Sequence, residues 1–121
     1  MSAVLLVSRD LLFVSRVEGA ARRIGVRCDA VDDAAQAAAK LAPGDFALVL
    51  CDLTAPGTVA DLIAAISAAA TTQPRPRVIA FGPHVHVARL EEARAAGCDE
   101  VLTRGKFDAT LDAILARHLA G

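Results

Sequence analysis

Residues 49–56 read "VLCDLTAP". The run "FALVLC" (46–51) is apolar throughout and climbs to a single carboxylate, Asp52, after which a polar turn containing Pro56 follows at once. An uninterrupted apolar run of this length describes a strand buried on both faces, as in the middle of a parallel sheet. An acid at the carboxyl end of such a strand lies where open α/β sheets place binding or reacting groups. What Asp52 does therefore depends on the residues that the rest of the chain brings beside it.

Upstream, "AVLLV" (3–7) is a second continuous apolar run and reads as another buried strand. From Asp10 the period becomes helical, with Leu11, Val14, Val17, Ala21 and Ile24 on one stripe, Asp10 as N-cap and Gly25 as the stop. "VRCDAV" (26–31) alternates apolar and polar, as an edge strand with one wet face does. Asp32 and Asp33 offer caps for the helix "AAQAAAKLA", which stops before Pro43-Gly44. Thr58 and Asp61 have capping-box spacing ahead of "LIAAISAAA".

Beyond the stiff connector "QPRPR" lies a fourth strand, "VIAF" (78–81). A helix over "ARLEEARAA", closed by Gly97, and a fifth strand, "EVLT" (100–103), come next. Asp108 is expected to cap a last helix, "ATLDAILARHLA".

Five strand–helix units in strict alternation predict a (βα)5 doubly wound, five-stranded parallel sheet of flavodoxin-like type. The wet second strand belongs at an edge, which fits the order 2-1-3-4-5. The connection then reverses between strands one and three, and the ligand crevice opens there. Its lining is expected to be Ser8, Arg9, Asp10 and residues 52–56, including Thr54. No repeat or linker is visible, so a single domain over 1–121 without an output domain is expected.

The 121 residues are 55% hydrophobic and 22% charged, enough apolar material for one real core. A net charge of −1 gives no electrostatic reason to expect nucleic acid or an anionic membrane as partner. The three cysteines stand far apart without C-x-x-C spacing and read as reduced, buried thiols of a cytoplasmic protein. No apolar run reaches membrane-spanning length.

Other chemistry finds little support. "HVH" (84–86) lacks a third ligand at a recognisable spacing and reads as a loop with solvated imidazoles. Cys51 is turned by strand alternation to the face opposite Asp52 and reads as a core thiol. The "RPR" of 75–77 and "RR" of 22–23 read as solvated surface. Glycine-rich nucleotide loops are missing, and so is a nucleophile–base–acid set, so no enzyme is expected.

The order of elements, the chain length, Asp52 ending strand three, "D-x-x-x-P" (52–56) and "AAGCDEVL" (95–102) together resemble the response-regulator receiver domain. The last stretch is similar to the family's A-x-G-A-x-x-(Y/F) lead-in to strand five. The resemblance covers essentially the whole chain and implies a place in two-component phosphorelay signalling. It makes Asp52 the equivalent of the aspartate that a histidine kinase phosphorylates. Two acidic residues after strand one hold Mg²⁺ in that family, and here those positions are Ser8 and Arg9. A guanidinium offers donors and no lone pair, so it cannot ligate a dication.

The family's switch hydroxyl at the end of strand four falls at Phe81 or Gly82, and neither carries one. The coupled aromatic on strand five is replaced by Val101. The phosphate-binding lysine is matched by Arg104, with Lys106 two residues on.

The expectation is thus a pseudo-receiver that needs no cofactor, with phosphorylation of Asp52 lost or much weakened. Arg9 or Arg104 is expected to hold Asp52 in a permanent ion pair. The alternatives are a genuine receiver that binds Mg²⁺ through Asp10 and Asp52, and a small-anion binder in the crevice. The partner is expected to be a protein, a signalling kinase or an effector, docking on helix four, strand five and helix five. Arg89, Glu92, Lys106, Asp112 and Arg117 are the candidate contacts, and the same face is where such domains form homodimers.

Overall fold

Two kinds of apolar pattern, continuous and helical, become two kinds of element in strict alternation. The computed structural model describes residues 3–41, 46–69 and 75–119. Along them run β1 (Ala3–Val7), α1 (Leu11–Arg23), β2 (Arg27–Val31), α2 (Ala34–Leu41) and β3 (Leu48–Asp52). They are followed by α3 (Val59–Ala69), β4 (Arg77–Gly82), α4 (Val87–Ala96), β5 (Glu100–Thr103) and α5 (Arg104–Leu119). The sheet order is β2-β1-β3-β4-β5 and every neighbouring pair is parallel. This is the predicted order, with the reversal between β1 and β3.

Strand alternation deals side chains to two cores. Leu6, Leu50 and Phe81 pack against Phe13 of α1 and Phe107 and Leu111 of α5. Leu5, Val49 and Ala80 face the other way, toward Ala37 of α2, Leu62 of α3 and Leu90 of α4. Cys51 lies on this second side, opposite Asp52, as alternation requires.

Three of the expected side-chain caps form. Asp10 accepts from the backbone N–H of Phe13 at 3.2 Å, and Asp33 from that of Gln36 at 2.8 Å. The Gln36 side chain in turn accepts at 3.1 Å from the N–H of Asp32, the residue before the cap. Thr58 accepts from the N–H of Asp61 at 3.2 Å. Gly97 ends α4 at φ 99°, a left-handed conformation that favours glycine.

One boundary differs. The last helix starts at Arg104, not after Asp108. Thr103 supplies the cap, accepting from the N–H of Lys106 at 3.3 Å, while Asp108 sits inside the helix and pairs with Arg16 of α1. The earlier start carries Phe107 on helical geometry into the core, where it is fully buried. The stop at Pro43-Gly44 and the first part of the "QPRPR" connector lie outside the described residues. No described helix is long and apolar enough to cross a membrane.

Candidate functional site

At the carboxyl end of the sheet, β1 and β3 run side by side, with Val7 opposite Cys51. The next residue on each strand is polar, so Ser8 and Asp52 meet. Each is 2% exposed, and they are the two buried polar side chains among the described residues. The Ser8 hydroxyl donates to Asp52 Oδ2 at 2.8 Å and accepts from the Asp10 N–H at 3.2 Å. Thr54 serves the other oxygen twice: its N–H donates to Oδ1 at 2.9 Å and its hydroxyl at 2.7 Å. An ionised carboxylate only accepts, so three converging neutral donors satisfy it without a cation. Burial without them would cost about 1–3 kcal/mol or more.

The structure overturns the expected ion pair at Asp52. Among the described residues no guanidinium reaches that carboxylate. Arg9 follows an inward-facing Ser8 and is therefore turned out into solvent. Arg104, the first residue of α5, donates to Asp10 Oδ2 instead. Asp10 is already fixed by its capping bond to Phe13, which makes it the nearer preorganised acceptor. The guanidinium carbon of Arg104 also lies 4.9 Å from the Phe13 ring centroid, a cation–π distance. These contacts hold the Asp10 carboxyl below its ordinary pKa, the Arg104 hydrogen bond first and the Phe13 N–H next. Lys106 stands exposed on the first turn of α5.

Both positions named at the end of β4 are filled. Phe81 pairs in register with Asp52 and is fully buried, its ring stacked on Phe107 at 4.1 Å and 8°. Gly82 pairs with Thr103, and a Cβ built there would stand 3.3 Å from Cβ of Leu53. A threonine or serine at 82 would therefore require Leu53 to give way. Val101 is half-buried against the aliphatic core.

Arg89, expected only as a surface contact, has a further role. From the first turn of α4 it donates to the backbone carbonyl of Leu53, next to Asp52. With Thr54, Val85, His86, Val87 and Ala88 it lines an open hollow of about 520 Å³. Its position carried a signal: a cation in the first turn opposes the helix dipole, so it needs an acceptor elsewhere. His84 and His86 stand exposed on the same loop, and no group of three His, Cys, Asp or Glu that could hold a metal occurs among the described residues. Burial pushes the Cys51 and Cys28 thiols up to about 12, and Cys98 to about 11, so none is a nucleophile near neutral pH.

Of the remaining surface candidates, Arg117 bonds Glu100 at 2.5 Å and Asp112 pairs with Arg23 of α1 at 3.0 Å. Glu92 lies beside Arg89 along a smaller hollow.

No protein-family model matches the chain, and no curated protein matches it. Solved structures do match. One is the receiver domain of a sensor histidine kinase from Pseudomonas aeruginosa, with a magnesium ion coordinated in its active-site cleft. Its TM-score is 0.80 at 23% identity, covering 98% of both chains. The phosphorylated cyanobacterial phytochrome response regulator RcpA gives 0.78 at 17%, covering 98% of this chain and 94% of that one. The receiver domain of Saccharomyces cerevisiae Ssk1, solved with the histidine phosphotransfer protein Ypd1, gives 0.76 at 16%, covering 98% and 92%. At such identities the likeness is one of fold.

Proposed function

From a chain with the fold of response-regulator receiver domains, we propose a receiver-like signalling module that acts by protein–protein contact, with phosphorylation of Asp52 lost or much weakened. One observation carries this reading: both oxygens of Asp52 are already engaged by the neutral donors of Ser8 and Thr54. Phosphoryl transfer to a carboxylate depends on positioning and on neutralising charge over the transferred group, which the metal supplies in this class of reaction.

The residues here do not fit such a metal. Magnesium takes octahedral oxygen ligands. Asp10, the acid beside the crevice, is committed to Arg104, and Arg9 offers no lone pair. Losing that electrostatic stabilisation costs on the order of 3–4 kcal/mol for a single strong contact, a hundredfold or more in rate.

The module is not an enzyme in this reading. Its partner is a protein, a signalling kinase or effector, by analogy with the Ssk1 receiver domain, which was solved with a phosphotransfer protein. The face of α4, β5 and α5 is the proposed contact surface, and a homodimer through it is the other use of the same residues.

The test is direct. The full chain is incubated with Mg²⁺ and acetyl phosphate and its intact mass is measured beside Asp52→Ala. Each protein is expected to keep the mass it had before incubation, with no phosphate-sized gain in either. A near-complete gain in the wild type that vanishes in Asp52→Ala contradicts the proposal and favours metal ligation through Asp10 and Asp52.

A further inference from the structure

Beneath the crevice, three rings join the two helices that flank one side of the sheet. Phe81 of β4 stacks on Phe107 of α5, and Phe13 of α1 leans on both, with centroids 5.1 Å and 5.6 Å away. Phe81 and Phe107 are fully buried and Phe13 is 5% exposed. Arg104 closes the edge of the cluster, over the Phe13 ring and bonded to Asp10. Asp10 in turn caps α1 through the Phe13 N–H. The start of α1, the start of α5 and the end of β4 thus form one closed circuit of contacts. None of its side-chain contacts uses the Asp52 carboxylate, whose hydrogen bonds go to Ser8 and Thr54.

We propose that the Phe13–Phe81–Phe107 cluster with the Asp10–Arg104 pair is a lock that holds α1 and α5 in one arrangement whatever the charge state of Asp52. The proposal rests on the receiver-like reading above and concerns its regulation. A responsive site needs an element with two arrangements that the site can bias. Here Phe81, the register neighbour of Asp52, is immobilised between two rings, and Leu53 closes the space above Gly82. Stacked and tilted aromatic pairs prefer defined geometries, and the Arg104 guanidinium over the Phe13 ring adds to them. A partner that reads α5 therefore meets a constant surface.

Amide hydrogen exchange on the full chain tests the lock, comparing wild type with Arg104→Gln, Phe81→Leu and Asp52→Asn. Residues 13–17 and 107–111 report on the lock, and residues 37–41 of α2 serve as the internal reference. Arg104→Gln is expected to speed exchange about fivefold at the reporting amides and to leave α2 unchanged. Phe81→Leu is expected to do the same if it folds. Asp52→Asn should leave α1 and α5 within about twofold of wild type. The proposal is overturned if Asp52→Asn loosens α1 and α5 as much as Arg104→Gln does. It is overturned equally if Arg104→Gln changes nothing, or accelerates α2 to the same extent. Phosphate uptake at Asp52 with the exchange pattern unchanged would sink only the proposed loss of phosphorylation and leave the lock standing.

Discussion

The two sides of the sheet are made of different material. Three of the four phenylalanines lie between the sheet and the α1–α5 pair, and Phe46 is the lone ring on the other side. That other side is filled by aliphatic residues and alanines from α2, α3 and α4. Ion pairs follow the same division. Arg16–Asp108, Arg23–Asp112 and Asp10–Arg104 all tie α1 to α5, while none joins α2 to α3 or α3 to α4 among the described residues. The exposed pairs Arg16–Asp108 and Arg23–Asp112 contribute roughly 0–1 kcal/mol each, so the rings and not the charges dominate the α1–α5 side. Asp52 lies at the rim of the aromatic side, yet its own bonds stay within the loops after β1 and β3.

The largest expected effect comes from removing a ring. Phe107→Ala should lower stability by about 3–5 kcal/mol, and Leu62→Ala, equally buried on the other side, by roughly 2–5 kcal/mol. Each lost aromatic pair adds about 0.5–1.5 kcal/mol, so denaturant melts should rank Phe107→Ala as the worse of the two. The reverse ranking would break the contrast between the sides.

A smaller loss is expected in the crevice. Ser8→Ala removes one donor from a buried carboxylate and should cost about 1–3 kcal/mol. Most of that cost should disappear when the substitution is made in an Asp52→Asn background, because the uncompensated charge is then gone. A double-mutant cycle by chemical denaturation measures this coupling. Additivity of the two substitutions would mean that the serine hydroxyl does not hold the carboxylate.

The smallest effect is electrostatic and lies at the edge of the lock. Asp10 has a lowered folded-state pKa, so its contribution to stability is present above the ordinary value of 3.8 and is lost as pH falls through the folded value. Between neutral pH and about pH 5 Asp10 should add no slope to the stability curve. Below 3.8 the wild type should lose stability faster than Asp10→Asn, and added salt should shrink the difference. Parallel curves for the two proteins in acid would remove the Arg104–Asp10 contact from the account.

Most of the architecture was legible because each central strand is an unbroken apolar run and most helices announce their caps. Thr58, Asp33 and Asp10 cap the helices assigned to them. The start of α5 was obscured by Gly105 in its first turn, which reads as a breaker, and by Asp108, which reads as a cap. Burial of Phe107 decided against both.

In the crevice the residue types were legible and their pairings were not. Ser8, Asp10, Asp52, Thr54 and Arg104 were all placed at the right end of the sheet. A guanidinium near an aspartate in sequence invites an ion pair, yet direction settles the matter. Alternation after β1 sends Ser8 inward and Arg9 outward, and Asp10 intercepts Arg104 before it can reach Asp52. The bond from Arg89 of α4 to Leu53 spans 36 residues, and only the assembled fold shows it.

The account turns on what occupies Asp52, and a crystal structure after soaking in magnesium and beryllofluoride examines that most directly. The expected result is a carboxylate still bonded by Ser8 and Thr54, with Arg104 on Asp10 and no ion beside it. An octahedrally coordinated ion bridging Asp10 and Asp52, with Arg104 swung away, would contradict it.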